Sequence, residues 1–391
     1  MRAIGRRWGR QSPLILLRDI ADISPAVFEK MVALRSELRR ATDERGAMIE
    51  RLGLDRAFAL PSANWGPEAN NDYQAAYRHL RDGGYKSLNR LRLWSQSFTG
   101  YQLRTMTPVH QLSPGRRIRS VARVSNGHDR WLKRQRSEPD RWVEIWQAAV
   151  APMMPRYRVS PPKALGEIGW LIDDTVVNHD TYVLQERINL LFASGILDRL
   201  EQLGRPPRII EIGGGYGGLC RTLRQLFPTA SYTICDLPET LMFSGLYLVA
   251  TEPGIPRVLS VLALDSGDAI DLLPNYLFPL FVEGRSFDLA INTLSFAEMS
   301  SHQVSTYADG LARLLDTEGL FFEQNQDNSP IGLLDPKPLI SAQFSHRRSL
   351  FDEPPDPDLP SGAIRLTDTV MPILEGRADV WSNPVRRPPD A

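Results

Sequence analysis

The chain of 391 residues has few cysteines, no net charge and no long apolar run. Its two cysteines, Cys220 and Cys235, exclude a disulfide framework and a zinc cluster of thiolates. The longest apolar run near the start, residues 14–17, is far shorter than a signal-peptide core or a membrane span. We therefore expect a cytoplasmic protein with no membrane span.

The formal net charge of zero hides an uneven distribution along the chain. Residues 1–150 contain 27 Lys and Arg against 15 Asp and Glu, whereas residues 151–391 contain 19 against 31. Basic side chains are densest in residues 116–136, with eight Lys and Arg beside one acid. This stretch is either a solvated or docked protein face, or a groove for an anionic substrate or nucleic acid.

Residues 208–236 contain a glycine-rich turn between two apolar runs. The first run is rich in isoleucine and predicts a buried parallel strand, after which glycines at 213–218 let the backbone approach a ligand. Leucines at helical spacing follow, up to Pro228. The second run ends at Asp236, where a ribose-binding carboxylate belongs in a doubly wound sheet. The order predicts a nucleotide-type cofactor site.

The same glycines fit two cofactor templates. The dinucleotide fingerprint G-x-G-x-x-G is matched by Gly213, Gly215 and Gly218. The pattern acidic-x-G-x-G-x-G, which resembles the first motif of class I S-adenosylmethionine (SAM)-dependent methyltransferases, is matched by Glu211, Gly213, Gly215 and Gly217. An ordinary strand-to-helix loop is the alternative for any single glycine-rich turn, and the spacing of the two acidic residues argues against it.

The chain divides near Pro161 into two regions of different character. Residues 1–160 predict a mainly helical region, with Ser24 and Pro25 starting a helix that should end by Gly46. Residues 161–391 alternate between strand and helix patterns, which predicts an α/β fold with a Rossmann-like doubly wound, mostly parallel sheet. Asp180 is the expected cap of the helix that leads into it. The further expected elements are helix 238–251, strand 257–263, a loop, strand 286–292, helix 301–315, strand 319–324, a short helix near 331–343, and strands near 345–351 and 375–382.

Five segments resemble the sugar O-methyltransferases, a branch of class I SAM-dependent methyltransferases. They are NHDTYVLQERINLL at 178–191, EIGGGYGGL at 211–219, CDLPETL at 235–241, DLAINTLSFAEMS at 288–300 and GLFFEQN at 319–325. The resemblance covers roughly residues 165–350. It implies SAM as cofactor, a hydroxyl of a saccharide or small molecule as acceptor, and a terminal antiparallel hairpin in the sheet. We expect the helical region to form a lid over the acceptor, and it is also a candidate homodimer interface.

The resemblance also implies roles for individual residues at the cofactor. Glu211 and the glycines at 213, 215 and 217 would lie near the methionine moiety, and Asp236 would hold the ribose. Asp268, with Asp265 behind it, is the candidate for the adenine amino group, and Arg187 for the cofactor carboxylate. Asn292, at the end of the fourth strand, should face the cofactor or the acceptor. Solvated positions are the alternative for Asp268 and Arg187. No pair of carboxylates has a spacing that indicates a metal.

Methyl transfer to an alcohol needs alignment, worth about 7–11 kcal/mol, and a base, worth about 10²- to 10⁴-fold in rate. Placement near the expected carboxyl edge of the sheet indicates three candidate bases, His179, Glu298 and His302. Structural roles are the alternative for both histidines, and positioning of a substrate hydroxyl is the alternative for Glu298. In plant small-molecule O-methyltransferases a histidine follows the fourth strand, but this chain has Ser295 there.

Three other functions compete with this one. The basic stretch at 116–136 would suit a methyltransferase of nucleic acid or protein, although no Asn/Asp-Pro-Pro-aromatic tetrad follows the fourth strand, and a nucleic-acid partner is not expected. The alternative glycine register would suit an NAD-dependent oxidoreductase, but no Ser-x-x-x-Tyr-x-x-x-Lys dyad is present after Ser301. A non-catalytic subunit with a SAM-type fold is the third.

Overall fold

The computed structural model describes most of the chain. The described residues are 21–63, 65–66, 71–99, 139–254, 256–261, 263–264, 270–315, 318–350, 363–366, 369–372 and 378–383. They form an α/β fold with a mostly parallel eight-stranded sheet and a helical N-terminal region, as the sequence predicts. No helix within these ranges is long and apolar enough to cross a membrane.

The N-terminal region contains seven described helices. They are α1 (Pro25–Leu52), α2 (Arg56–Ala59), α3 (Asn71–Asp82), α4 (Tyr85–Leu88), α5 (Leu91–Trp94), α6 (Gln96–Thr99) and α7 (Pro139–Val150). Ser24 caps α1 as expected, because its side chain accepts a hydrogen bond from the amide of Val27. The predicted end near Gly46 is wrong. The helix continues to a left-handed Gly53, since burial of Ile49 offsets the roughly 1 kcal/mol cost of one internal glycine.

The second region begins with a hairpin of β1 (Trp170–Ile172) and β2 (Thr175–Val177), followed by α8 (His179–Ala193) and α9 (Ile196–Glu201). Asn178, not Asp180, caps α8, and its side chain accepts a hydrogen bond from the amide of Thr181. Asp180 therefore lies inside the first turn of the helix, where it is free to make another contact.

The central sheet has the strand order β5–β6–β4–β3–β7–β8–β12–β9. Its strands are β3 (Arg208–Ile212), β4 (Ser231–Asp236), β5 (Arg257–Val258), β6 (Ile270–Pro274), β7 (Leu289–Thr293), β8 (Leu320–Gln324), β9 (His346–Ser349) and β12 (Ala378–Ser382). A separate hairpin pairs β10 (Ala363–Leu366) with β11 (Thr369–Pro372). The last two pairs of the central sheet, β8 with β12 and β12 with β9, are antiparallel, so the expectation of an antiparallel end is confirmed.

The strand expected at 257–263 is mostly wrong. Only β5, a two-residue edge strand, forms there, and the strand beside β4 is β6, which the sequence pattern assigned to a loop. Every residue of β6 is buried, and the strand pairs with β4. These tertiary contacts favour a strand at this place, and the local sequence pattern does not show them. This shift moves the carboxyl end of the third central strand from residue 263 to Pro274.

Helices cover both faces of the sheet, with one hydrophobic cluster on each side. The helices that follow the strands are α10 (Gly218–Leu226), α11 (Pro238–Thr251), α12 (Phe278–Phe281), α13 (Ser301–Leu314) and α14 (Lys337–Ser341). The N-terminal region packs directly on this layer. A Cβ on Gly245 of α11 would lie 3.0 Å from Leu34 and 3.2 Å from Leu38 of α1, so the small residue permits close docking. The boundary at residues 160–161 stays a prediction.

Candidate functional site

A cavity of about 390 Å³ opens at the carboxyl ends of the parallel strands. Strand order reverses between β4 and β7 on either side of β3, and such switch points hold ligands in open α/β sheets. Segments after β3, β4, β6, β7 and β8 all contribute to its lining. The expected cofactor edge of the sheet therefore contains an open cavity.

The glycine-rich turn forms one wall of the cavity. Gly213 has φ +77°, and a Cβ there would lie 2.1 Å from the Oγ of Ser295, so backbone conformation and space both require glycine. Gly215 also has a positive φ, of +55°, and faces the cavity. Gly217, at φ +85°, is the residue before α10 and turns the chain into that helix without lining the cavity. The turn therefore gives a ligand close access to backbone at Gly213 and Gly215.

Glu211 and Asp236 place two carboxylates beside the glycine turn. Tyr232 donates a hydrogen bond of 2.8 Å to Oε2 of Glu211, and burial raises the pKa of Glu211 to about 7 despite that bond and the nearby Arg187. Burial likewise raises the pKa of Asp236 to about 7, against hydrogen bonds from the amides of Leu237 and Gly215. Both carboxyl groups line the cavity and would bind protons near neutrality unless a ligand donates to them.

Arg187 projects from α8 into the same cavity. Its buried Nε has no hydrogen-bond partner among the described residues. An unpaired guanidinium nitrogen in a half-buried position is costly, and a bound carboxylate would satisfy it with a charge-assisted hydrogen bond. The placement agrees with the role expected for Arg187, which stays a prediction.

Asn275 is a site residue that sequence reasoning missed. It follows β6, is 2% exposed and lines the cavity. Its Nδ2 donates to the carbonyls of Phe58 and Ala59, whereas its Oδ1 has no partner among the described residues. The buried oxygen is an acceptor that a ligand N–H would satisfy. Asp268, the residue expected at this position, lies outside the described residues, and the misplaced strand explains why Asn275 was overlooked.

Asn292 does not face the cavity as expected. Its Nδ2 donates to the carbonyl of Ile212 at 2.8 Å and to the Oγ of Ser295 at 2.6 Å, and its Oδ1 accepts from Asn325 at 2.8 Å. Because both the nitrogen and the oxygen of its side-chain amide have hydrogen-bond partners, Asn292 connects the end of β3 with the segment after β7. The next residue but one, Leu294, lines the cavity with a left-handed backbone at φ +66°, an unusual conformation for a branched side chain.

His179 and Asp180 lie together at the cavity edge. Both are buried and line the cavity, and the Nδ1 of His179 is 3.6 Å from Oδ1 of Asp180. The other oxygen of Asp180 accepts a hydrogen bond of 2.7 Å from Nη2 of Arg92 in the N-terminal region. Burial acts to raise the pKa of Asp180, but the charge of Arg92 and the neighbouring His179 hold it below the ordinary value. Asp180 is therefore an ionised partner for the imidazole.

Arg92 is the centre of a buried charged group. Its Nε donates to Oε2 of Glu167 at 2.6 Å, and its guanidinium lies 3.8 Å from the ring centroid of Tyr216 in the glycine turn. Asn178 donates to the other oxygen of Glu167. The group therefore links the N-terminal region, the start of α8 and the glycine turn through contacts that water does not reach.

Of the two candidate bases after β7, only Glu298 reaches the cavity. The Nε1 of Trp65 donates to its Oε2 at 3.0 Å, and burial raises the pKa of Glu298 to about 7 despite this bond. His302 is half exposed and bonded to Asp55 at the surface, and it does not line the cavity. The structure therefore brings His179 and Glu298 together and leaves His302 outside.

The N-terminal region covers the cavity with Ser62, Trp65 and Phe98. Ser62 donates a hydrogen bond of 3.0 Å to the carbonyl of Glu298, and Trp65 stacks on Phe98 with ring centroids 6.0 Å apart. Phe98 lies 3.9 Å from a Cβ built on Gly215, so its ring covers the glycine turn. The three residues belong to the region expected to form a lid, and that role stays a prediction.

Metal binding has no obvious place in the described part of the chain. Over these residues, no group of three or more His, Cys, Asp or Glu side chains is placed to hold a metal ion. The basic stretch at 116–136 lies outside the described residues, so the structure adds nothing to its interpretation.

Comparison with known proteins finds similarity in structure only. No protein-family model and no curated protein match the sequence. Among solved structures, an O-methyltransferase family protein from Burkholderia thailandensis is 15% identical with a TM-score of 0.32, covering 54% of this chain and 62% of that one. SAM-bound CalS10, an amino pentose methyltransferase from Micromonospora echinaspora, is 16% identical with a TM-score of 0.25, covering 34% and 50%.

A third similar structure is human N-acetylserotonin methyltransferase in complex with SAM, 14% identical with a TM-score of 0.28, covering 52% of this chain and 59% of that one. At 14–16% identity and TM-scores of 0.25–0.32, this chain resembles these three methyltransferases only distantly. It spans less than two thirds of the length of each of these three proteins.

Proposed function

We propose that this protein is a SAM-dependent O-methyltransferase that acts on a hydroxyl of a saccharide or other small molecule. The observation that carries the proposal is the set of unsatisfied or proton-binding groups around one cavity: Asp236 after β4, Asn275 Oδ1 after β6, and Arg187 Nε on α8. Together they match a ligand with a diol, an amino group and a carboxylate.

The residues present fit SAM in three respects. Asp236 would accept from the ribose hydroxyls, Asn275 Oδ1 from the adenine amino group, and Arg187 would donate to the carboxylate. Glu211 and the backbone at Gly213 and Gly215 would lie beside the methionine moiety, where a Cβ on Gly213 would collide with Ser295. When bound, SAM supplies an electrophilic methyl group and its own leaving group.

The chain's own residues would position the acceptor and take up its proton. We assign the base to His179, because its imidazole lines the cavity and has the ionised Asp180 beside it to stabilise the protonated ring. Ser62, Trp65 and Phe98 would exclude water from above. Glu298, with Gln326 and Asn328 after β8, would contact the acceptor. Carboxylate, amide and aromatic groups of this kind suit a polyhydroxylated molecule.

The test is calorimetric titration of the purified protein with SAM and, separately, with NAD. We expect SAM to bind, and Asp236→Ala to weaken its binding at least tenfold, because the ribose loses its carboxylate acceptor. The matched control is Glu283→Gln, an exposed acid before β7 at the opposite edge of the sheet, which should leave the affinity unchanged. Binding of NAD with no response to SAM would overturn the proposal and favour the oxidoreductase.

A second titration tests the role of Asn275 without changing the protein. S-inosylhomocysteine differs from S-adenosylhomocysteine in having a carbonyl oxygen where adenine has its amino group. In the proposed site this carbonyl oxygen would face Asn275 Oδ1. Because both atoms are hydrogen-bond acceptors, we expect S-inosylhomocysteine to bind at least tenfold more weakly than S-adenosylhomocysteine. Equal affinities would remove Asn275 from the adenine site.

A further inference from the structure

The charges around the cavity are predominantly negative in the described part of the chain. Four carboxylates line it, from Asp180, Glu211, Asp236 and Glu298, against Arg187 and His179 as the basic side chains. Arg92 balances Asp180 from behind the cavity wall, at 2.7 Å. Above pH 7, near which the pKa values of the remaining three carboxyl groups lie, their charges outnumber that of Arg187, the one Lys or Arg side chain among the described residues that lines the cavity.

The proposed cofactor accounts for part of this charge, on one side of the switch point. Asp236 and Asn275 follow β4 and β6, so the nucleoside would lie over that half of the sheet. Arg187 would be paired with the cofactor carboxylate. The half above β7 and β8 is left for the acceptor, and its charged residue is Glu298, in the turn Phe296–Glu298 after β7.

Glu298 is fixed in position by the segment that covers the cavity. Trp65 Nε1 donates to its Oε2 at 3.0 Å and Ser62 Oγ to its carbonyl at 3.0 Å. The side chain therefore cannot swing into solvent to avoid an incoming anion. A carboxylate has about four acceptor positions, so it can accept from an acceptor hydroxyl or ammonium while keeping the bond to Trp65.

We propose that Glu298 is a specificity-determining residue that restricts this cavity to acceptors without negative charge near the reacting hydroxyl. The inference rests on the methyltransferase function proposed above. An acidic acceptor would bring a second anion next to a fixed carboxylate in a partly closed cavity, where solvent screens the repulsion poorly. A neutral or amine-bearing acceptor would instead donate hydrogen bonds to Glu298, and the adjacent Trp65 and Phe98 rings offer an apolar face for its carbon skeleton.

The test compares three probes of one shape that differ in charge: methyl glucoside, glucosamine and glucuronate. Their affinities are measured by calorimetry at pH 8, above the pKa of about 7 that burial gives Glu298, so that its side chain is ionised. The sample is the full chain saturated with S-adenosylhomocysteine. We expect the neutral and aminated probes to bind, and glucuronate to bind at least tenfold more weakly than methyl glucoside. In Glu298→Gln, which keeps an acceptor for Trp65, this difference should shrink to within about threefold.

Two further variants separate charge from folding. Trp65→Phe removes the anchoring N–H but keeps the carboxylate, so discrimination against glucuronate should persist even if all three affinities fall. Glu283→Gln removes an exposed charge at the opposite edge of the sheet and should change nothing. Glucuronate binding as well as methyl glucoside, unchanged discrimination in Glu298→Gln, or no binding of the neutral and aminated probes overturns the inference.

The same samples show whether the proposed function fails instead. If SAM and S-adenosylhomocysteine do not bind, the methyltransferase proposal fails, and this inference fails with it. If they bind with the expected dependence on Asp236 but the probes do not follow the charge pattern, only the role of Glu298 is overturned.

Discussion

Arg92 and Asp180 form an ion pair of 2.7 Å between the N-terminal region and the first turn of α8, and both side chains are almost fully buried. The contact places a residue of the helical region directly behind the carboxylate that faces His179. The described part of the N-terminal region and the α/β region therefore contribute to one site. A cavity wall at Tyr216 depends on the same guanidinium.

Removing Arg92 should be among the most destabilising single changes in the chain. Arg92→Met would leave Glu167 and Asp180 buried without their cation, which typically costs about 3–5 kcal/mol of unfolding free energy. Urea denaturation followed by circular dichroism measures this cost. The matched control is Arg45→Met, which breaks the more exposed pair with Glu239 between α1 and α11 and should cost distinctly less. Equal costs would show that burial of the Arg92 group is not what matters.

Gly213 should be the least replaceable residue of the glycine turn. Gly213→Ala adds a Cβ 2.1 Å from the Oγ of Ser295 and forces φ +77° on a residue that avoids it, which together should cost about 1–3 kcal/mol and weaken SAM binding at least tenfold. Thermal unfolding and calorimetry measure the two effects. Gly254→Ala is the control, since its Cβ meets nothing within 4 Å. A Gly213→Ala variant that binds SAM normally would contradict the assigned turn geometry.

Glu211 should make the fold less stable as pH rises. Its pKa lies near 7 in the fold and at its ordinary value of 4.5 in the unfolded chain, so between these values the folded state binds the extra proton. The free energy of unfolding therefore falls as pH rises through this window, by roughly 2–3 kcal/mol for this group. Glu211→Gln should remove that part of the decline.

Unfolding free energies of the two proteins at pH 5 and pH 8 test this sign. Other buried acids with raised pKa values, such as Glu323, contribute in the same direction, so the relevant quantity is the difference between wild type and variant. Glu283→Gln, at an exposed position, should leave the slope unchanged. A variant as pH-dependent as the wild type would show that Glu211 is ionised in the fold.

The sequence predicted the centre of the fold well, because several local signals agree there. The isoleucine run, the glycine turn and the leucine spacing lead to β3 and α10, and helix α11 begins and ends where expected, at Pro238 and Thr251. Glu211, Gly213, Gly215 and Asp236 line one cavity, whereas Gly217 does not, and their roles at a cofactor stay predictions. Here local propensity and tertiary packing favour the same structure.

The sequence predictions that failed concern residues whose positions depend on tertiary contacts, which a local sequence pattern does not show. β6 is a strand because it pairs with β4 and is buried, whereas the apolar run at 257–263 gives only an edge strand. Because the sequence placed this strand at 257–263, Asn275, which directly follows β6, was not considered as a site residue. Asn292 was expected to face the ligand, but four nearby groups are hydrogen-bonded to its side-chain amide. Arg92 carries no motif, and only the folded chain brings it to Glu167 and Asp180 from 75 and 88 residues away.

Substitutions of the three candidate bases should have clearly different effects on kcat, measured with an acceptor that the protein methylates. His179→Asn should lower kcat by about 10²- to 10⁴-fold with little change in SAM affinity, because it removes the proton acceptor and keeps the polar shape. His302→Ala should leave kcat within about threefold, since His302 is bonded to Asp55 at the surface. Glu298→Gln should change acceptor affinity more than kcat. Release of S-adenosylhomocysteine measures turnover, and a large loss in His302→Ala with a small one in His179→Asn would reverse the assignment.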